Sequence, residues 1–155
     1  LWSKIASEEL IDLYKKMYGL YQVNMILYNV YGEREPEHGS LSNVIKKFKT
    51  NYLNQLPITV YGSGNKKRDF THVDDVVQGM LQLLLAKELP DEVHIGKGSP
   101  KSVMALARAF DTTIVHKFDV PSEPDIIECE NPYIECPADV IQYINSWLKE
   151  NPIDN

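Results

Sequence analysis

The chain has 155 residues and a mass of 17.7 kDa, with 43% hydrophobic and 25% charged residues, a mix that fits one globular domain and argues against disorder or a fibrous fold. Its 16 Lys and Arg against 22 Asp and Glu give a net charge of −6, which removes support for a chain-wide affinity for nucleic acid or anionic membranes. The imbalance is local: nine acids against Lys149 alone put −8 on residues 118–155, and about +2 remains on residues 1–117. No apolar run approaches the roughly 20 residues of a membrane helix, so no membrane contact is predicted. Cys129 and Cys136 lie at a spacing that matches no zinc ligand set, and His38, His72, His94 and His116 show no metal spacing; no metal is predicted. Two free thiols in a cytoplasmic protein is the simplest reading of the cysteines. Residues 1–14 lack a basic leader and a cleavable apolar core, so they do not read as a signal peptide.

Trp2, Ile5, Ala6, Leu10, Leu13, Tyr14, Met17 and Tyr18 recur at three and four with charges between them, which predicts an amphipathic helix ending at Gly19. Residues 23–28 read as a buried strand running into Asn29-Val30-Tyr31-Gly32. Ser40 is expected to cap a helix with Leu41, Val44, Ile45, Phe48 and Tyr52 on one face, stopped by Pro57. Residues 58–61, a Gly62-Ser63-Gly64-Asn65 turn and residues 68–72 together look like a hairpin. A helix is expected over 73–86, with Asp74 and Asp75 at its positive end. Then come a strand over 92–95, a helix capped by Ser102 with Val103, Leu106, Ala107 and Phe110 inward, and a last helix started by Pro137. Residues 112–136, with scattered prolines and acids, are expected to be mostly irregular, apart from β-branched stretches at 112–115 and 126–127.

Helix and strand alternate, so the fold class is α/β. Trp2-Ser3-Lys4, the Asn29-Val30-Tyr31-Gly32 turn, Val60-Tyr61-Gly62-Ser63-Gly64, Arg68-Asp69-Phe70 with Val73 and Asp75, and Val93-His94-Ile95-Gly96-Lys97-Gly98 stand in an order that resembles the C-terminal half of extended short-chain dehydrogenases, the NAD-dependent nucleotide-sugar epimerase and dehydratase family. The likeness covers residue 1 to about Ser102. It implies the last part of a doubly wound, Rossmann-type domain in residues 1–32, a small mixed α/β substrate-binding lobe over most of 33–155, and residues 92–98 returning to the large sheet.

The family's catalytic motif is Tyr-x-x-x-Lys, in which lysine binds the nicotinamide ribose and lowers the tyrosine pKa. Lys4 matches the lysine, and the tyrosine falls one position before Leu1. The resemblance also assigns Tyr28 to the cofactor, and Asn29, Val60, Tyr61 and Arg68 to the substrate: Asn29 and Arg68 on the diphosphate of a nucleotide-diphosphate sugar, and the strand holding Val60 and Tyr61 along the base. The chemistry suits, since a guanidinium presents a planar fork to phosphate oxygens and an amide donates without adding charge. Three residues before Asn29 the family often has an arginine; Ile26 stands there. Residues 119–123 offer no cation where the family places an Arg-Pro pair, so sugar recognition there is expected to differ.

Gly62-Ser63-Gly64 is followed by Asn65-Lys66-Lys67 and a strand-like Phe70 rather than a helix, and no Gly-rich pyrophosphate turn is present. NAD, or NADP, is therefore expected in the complete enzyme and not on this chain alone. In the complete enzyme the implied reaction oxidises a sugar hydroxyl by hydride transfer to NAD, followed by epimerisation, elimination or reduction. Expected partners are the missing N-terminal half, or a homodimer through helix 1–18, where Tyr14 and Met17 are interface candidates. Lys66 and Lys67 are expected to be solvated, and their cluster with Arg68 is not read as a nucleic-acid patch. The alternative reading is a non-catalytic sugar-nucleotide-binding or subunit-interaction module.

Overall fold

A computed structural model describes residues 2–35, 43–119 and 123–153. In chain order the elements are α1 (Trp2–Tyr18), β1 (Asn24–Leu27), β2 (Val30–Tyr31), α2 (Val44–Leu53), β3 (Ile58–Tyr61), β4 (Lys67–Arg68), β5 (Thr71–His72), α3 (Val73–Leu85), β6 (Glu92–Ile95), β7 (Lys101–Ser102), α4 (Val103–Ala109), β8 (Ile114–Lys117), β9 (Ile126–Ile127) and α5 (Val140–Glu150). β1 runs parallel to β6, with Asn24 opposite Glu92 and Leu27 opposite Ile95. β2 runs parallel to β5 and β3 to β8. β4 lies between antiparallel β7 and parallel β9. Parallel pairs joined through helices make this an α/β fold.

Two apolar clusters hold these layers. In the first, Ile58 and Val60 of β3 pack with Ile45 and Phe48 of α2, Leu106 and Ala107 of α4, and Val140 and Ile144 of α5. Phe48 meets Phe110 edge to face at 6.0 Å, an arrangement the ring quadrupoles favour. In the second, Val76 and Leu83 of α3 cover Val93 and Ile95 of β6, with Ile134 and Cys136 beside them. Gly79 lies at the contact: a Cβ there would come within 2.5 Å of Ile95 Cδ1, so glycine permits the close approach of α3 to β6.

The helices start where a side-chain oxygen or nitrogen can take an unpaired N–H. Asn43, His72, Ser102 and Asp139 are the N-caps of α2, α3, α4 and α5. Ser102 thus plays its expected part, accepting from Ala105 N at 3.1 Å. Ser40 and Leu41 lie outside the described residues, and the α2 cap is Asn43. The last helix begins at Val140 behind Asp139 rather than at Pro137, because the Asp139 carboxylate accepts from both Ile141 N and Gln142 N. α1 closes as expected: Gly19, at φ 62, donates to the Lys15 carbonyl at 2.9 Å.

The expected hairpin does not form. β3 pairs with β8 and β4 with β7 and β9, because the intervening turn is engaged elsewhere: Gly64 and Lys66 carbonyls accept from Met104 N and Val103 N at the start of α4. The stretch 112–136 is less irregular than its composition suggests, since 114–117 and 126–127 find strand partners. β1 is not a buried strand. It has no fully buried residue and Leu27 is exposed, since among the described residues its one strand partner is β6. None of the 17 residues of α1 is buried.

Candidate functional site

Just beyond β1, Asn29 adopts a left-handed conformation, φ 31, which asparagine tolerates better than most residues. Its Nδ2 donates to the Asp69 carbonyl at 3.0 Å, tying the turn after β1 to the residue after β4. Asp69 is itself fully buried. Its carboxylate accepts from three backbone N–H groups, Lys97 at 3.2 Å, Gly98 at 2.7 Å and Cys129 at 3.1 Å, which compensates the cost of burying its charge. One residue thereby holds together the ends of β4 and β6 and the segment that follows β9, and fixes Asn29 and Arg68 relative to each other.

Arg68, whose side chain is 12% exposed, donates through its guanidinium to the carbonyls of Lys67 and Pro124, at 2.8 and 2.9 Å, and to Glu123 Oε2 at 3.0 Å. Lys66 pairs with Asp119 at 2.8 Å and is 18% exposed. It is therefore not the solvated lysine the sequence suggested: residue 119 follows β8, which the β3 pairing brings alongside, and its carboxylate draws Lys66 inward. Lys67 is exposed.

These groups line a cleft of about 590 Å3. It brings Asn29, Tyr61 and Arg68 together, with Asn43 at the N-cap of α2, Lys47 and Asn51 from α2 and Lys117 from β8. Val60 is fully buried in the core, and its neighbours Thr59 and Tyr61 line the cleft instead. Four cations, Lys47, Lys66, Arg68 and Lys117, face two carboxylates, Asp119 and Glu123, an excess of two positive charges. The α2 and β8 residues carry no mark of the cleft in the sequence, because only the packing of α2 on β3 and the pairing of β3 with β8 bring them to it.

Lys4 and Tyr28 stand apart from this cleft. Lys4 is exposed on α1, with no hydrogen bond or ion pair to it among the described residues. Tyr28 is half-buried and shares a hydrogen bond of 2.8 Å with His94 Nδ1. Burial pushes its phenol above the ordinary value, helped by the nearby Cys129, Asp69, Glu130 and Glu92. The Gly62-Ser63-Gly64 turn runs into β4 rather than a helix, and so lacks the helix N-terminus that receives a pyrophosphate in a dinucleotide fold. Among the described residues no helix is long and apolar enough to cross a membrane. No group of three or more His, Cys, Asp or Glu there is placed to hold a metal ion.

Parallel strands joined through helices, with a cleft of net positive charge beside them, define an α/β protein. Residues 2–96 match the NAD dependent epimerase/dehydratase family, and the chain belongs to that family. A Methanocaldococcus jannaschii protein, provisionally named a UDP-glucose 4-epimerase, is 34% identical over 96% of this chain and 52% of its own length. UDP-glucuronate 4-epimerase 1 of Arabidopsis thaliana is 32% identical over 81% of this chain and 28% of its own. In fold, the chain is similar to the UDP-glucose 4-epimerase of Thermus thermophilus solved with NAD, at TM-score 0.81 and 22% identity over 97% of this chain and 53% of that one. It is equally similar to the Thermotoga maritima UDP-glucose 4-epimerase solved with UDP-glucose, at TM-score 0.81 and 21% identity over 95% and 52%. The fold is thus α/β of the Rossmann type, and the chain spans about half the length of these structures and of the Methanocaldococcus jannaschii relative.

Proposed function

We propose that this chain is the C-terminal half of an NAD-dependent nucleotide-sugar epimerase or dehydratase. It supplies the clamp for the sugar nucleotide's diphosphate and the active-site lysine, Lys4. The observation that carries this reading is the cleft, where Asn29 bonds the carbonyl of buried Asp69 and Arg68 is the residue just before Asp69 in the chain. A diphosphate linking a nucleoside to a sugar carries one negative charge per phosphate, which matches the cleft's excess of two cations. Arg68 takes phosphate oxygens through its fork, Asn29 adds an uncharged donor, and Tyr61 with Thr59 lies along the base. A uridine diphosphate sugar is the natural first ligand, given the names of the relatives.

Residues 1–32 close the dinucleotide-binding domain, residues 33–155 form mainly the substrate lobe, and residues 92–98 rejoin the large sheet through β1. When bound, NAD supplies the acceptor for hydride from a sugar hydroxyl. Lys4 suits the ribose hydroxyls and would lower the pKa of a neighbouring tyrosine, and Tyr28 would stand at the nicotinamide end. The chain alone holds one wall of that pocket, so catalysis belongs to an assembly with the remaining strands, in the cytoplasm, as a homodimer through helix 1–18. The exposure of Lys4, which has no hydrogen bond or ion pair among the described residues, also suits a second reading, a module that binds sugar nucleotides without turning them over.

Calorimetry with UDP-glucose tests the clamp. Arg68→Ala should weaken binding by about 1.5–3 kcal/mol, the range for hydrogen bonds to charged groups, and Lys67→Ala, outside the cleft, should leave it within about 0.5 kcal/mol. Equal losses from both would reduce the cleft to a general anion patch. Turnover restored by a chain that carries the missing strands and the tyrosine, and abolished by Lys4→Ala, separates the enzyme from the binding module.

A further inference from the structure

The parallel register of β1 and β6 puts Ile26 opposite His94. Side chains alternate along a strand, so Glu92 and His94 share a face, and Tyr28, two residues beyond Ile26, reaches the same row. There they form a continuous chain of hydrogen bonds. His94 Nε2 lies 3.0 Å from Glu92 Oε1, and His94 Nδ1 lies 2.8 Å from the Tyr28 hydroxyl. The rings of Tyr28 and His94 are 5.9 Å apart. This row runs from the start of β6 to the carboxyl end of β1, the end of a parallel sheet at which ligands are bound.

Counting donors and acceptors fixes the protons. An ionised carboxylate only accepts, so His94 Nε2 must carry the proton in that bond; a neutral imidazole has one N–H, so Nδ1 must accept, and Tyr28 must donate. The phenol's one proton is then committed, and its oxygen offers a ligand only lone pairs. When His94 takes up a proton, Nδ1 becomes a donor, the phenol oxygen must accept from it, and the Tyr28 O–H is released to point elsewhere. The proton comes from a solvent hydronium, whose O–H bond breaks as the Nδ1–H bond forms; the Tyr28–His94 hydrogen bond reverses, and the Nε2–H bond to Glu92 keeps its direction.

We propose that Glu92, His94 and Tyr28 form a polarity switch at the carboxyl end of β1, in which the charge on His94 decides whether Tyr28 accepts a hydrogen bond from a ligand or donates one. With His94 neutral the site takes a hydroxyl or an amide N–H. With His94 charged it takes a carbonyl or carboxylate oxygen. The titratable groups around Tyr28 are Glu92, Glu130, Asp69 and Cys129. All are acidic, so they oppose a phenolate and leave proton movement to the imidazole. This device is independent of the diphosphate cleft, which Tyr28, His94 and Glu92 do not line.

The full chain labelled with 15N-histidine and 13Cζ-tyrosine reads both ends of the row by NMR. At neutral ring charge His94 should show a protonated Nε2 and a bare Nδ1, and Glu92→Gln, whose amide can donate as well as accept, should turn this single tautomer into a mixture. As acid protonates His94, the Tyr28 Cζ resonance should shift with the same midpoint, and in His94→Phe it should stay still over that range. A neutral ring protonated on Nδ1 in the parent chain would overturn the proposal. So would a Tyr28 Cζ resonance that ignores the His94 titration.

Discussion

Arg68 directs three hydrogen bonds inward, two to carbonyls and one to the half-exposed Glu123. The carbonyl bonds orient the guanidinium, whereas the Glu123 carboxylate occupies the very donor face that a phosphate would need. Removing that charge should therefore favour an anionic ligand. Glu123→Gln should tighten UDP-glucose binding by about one and a half to fivefold, the worth of a pair with one exposed partner, with the gain shrinking as salt is raised from 0.05 to 0.5 M. Unchanged or weaker binding at low salt would show that Glu123 positions Arg68 rather than competing for it. Arg68 and Asn29 came from the family resemblance, through the short motifs that hold them, and the structure places both along one cleft. Lys47 and Lys117 were not legible in the sequence, since a lysine on a helix or strand carries no mark of the cleft it borders. His94 was passed over for a related reason: its partners Tyr28 and Glu92 become a row only once the β1–β6 register is known.

The helices were legible as elements because apolar residues recur with the helical period in each, and burial then follows that stripe in α2, α4 and α5. The strands were legible as segments but not as pairs. Residues 58–61 and 67–72 look like a hairpin because closeness in sequence favours closing a short loop, yet β3 takes a partner more than fifty residues away, where burial of Ile58 and Val60 outweighs it. Gly96, just past β6, shows how tightly such junctions pack. A Cβ there would lie 2.4 Å from Cys129 Cβ and 3.0 Å from Asp69 Oδ2, atoms that cannot swing aside without moving backbone or the buried carboxylate. Gly96→Ala should cost about 1–3 kcal/mol in urea unfolding, the usual penalty for overpacking. Gly19→Ala meets no neighbour within 4 Å and should cost about 1–2 kcal/mol through its left-handed φ alone. A Gly96→Ala chain as stable as the parent would mean that the junction after β6 can open without loss.

At the scale of the molecule, stability is unevenly distributed. α1 exposes Trp2, Leu10, Leu13, Tyr14, Met17 and Tyr18 and buries nothing, and a helix of this length without tertiary packing is marginal in water. Its amides should exchange with deuterium far faster than those of α5, and equal protection would mean that another copy covers it. The cores, by contrast, hold groups whose protons resist removal. Burial, chiefly, and the nearby Asp75 and Asp69 push the Cys136 thiol up to about 11, against a partial opposing effect of Lys97. Burial likewise raises Cys129, Tyr31 and Tyr143. In the unfolded chain the Cys136 thiol ionises near its ordinary value of 9.0, so between there and about 11 the unfolded state binds fewer protons than the folded one. Stability then falls as pH rises, and a raised thiol of this size removes about 2–3 kcal/mol across the window. Lys49 acts in the opposite sense. Burial lowers it, so the folded chain releases that proton first and rising pH favours folding at this one site. With five raised groups, Tyr28 among them, against one lowered, the urea midpoint under reducing conditions should hold steady to about pH 8.5 and drop between 9 and 11, and Cys136→Ala should flatten part of that drop. A midpoint constant to pH 11, or a drop of the same size in Cys136→Ala, would show that the buried thiol does not govern the alkaline limb.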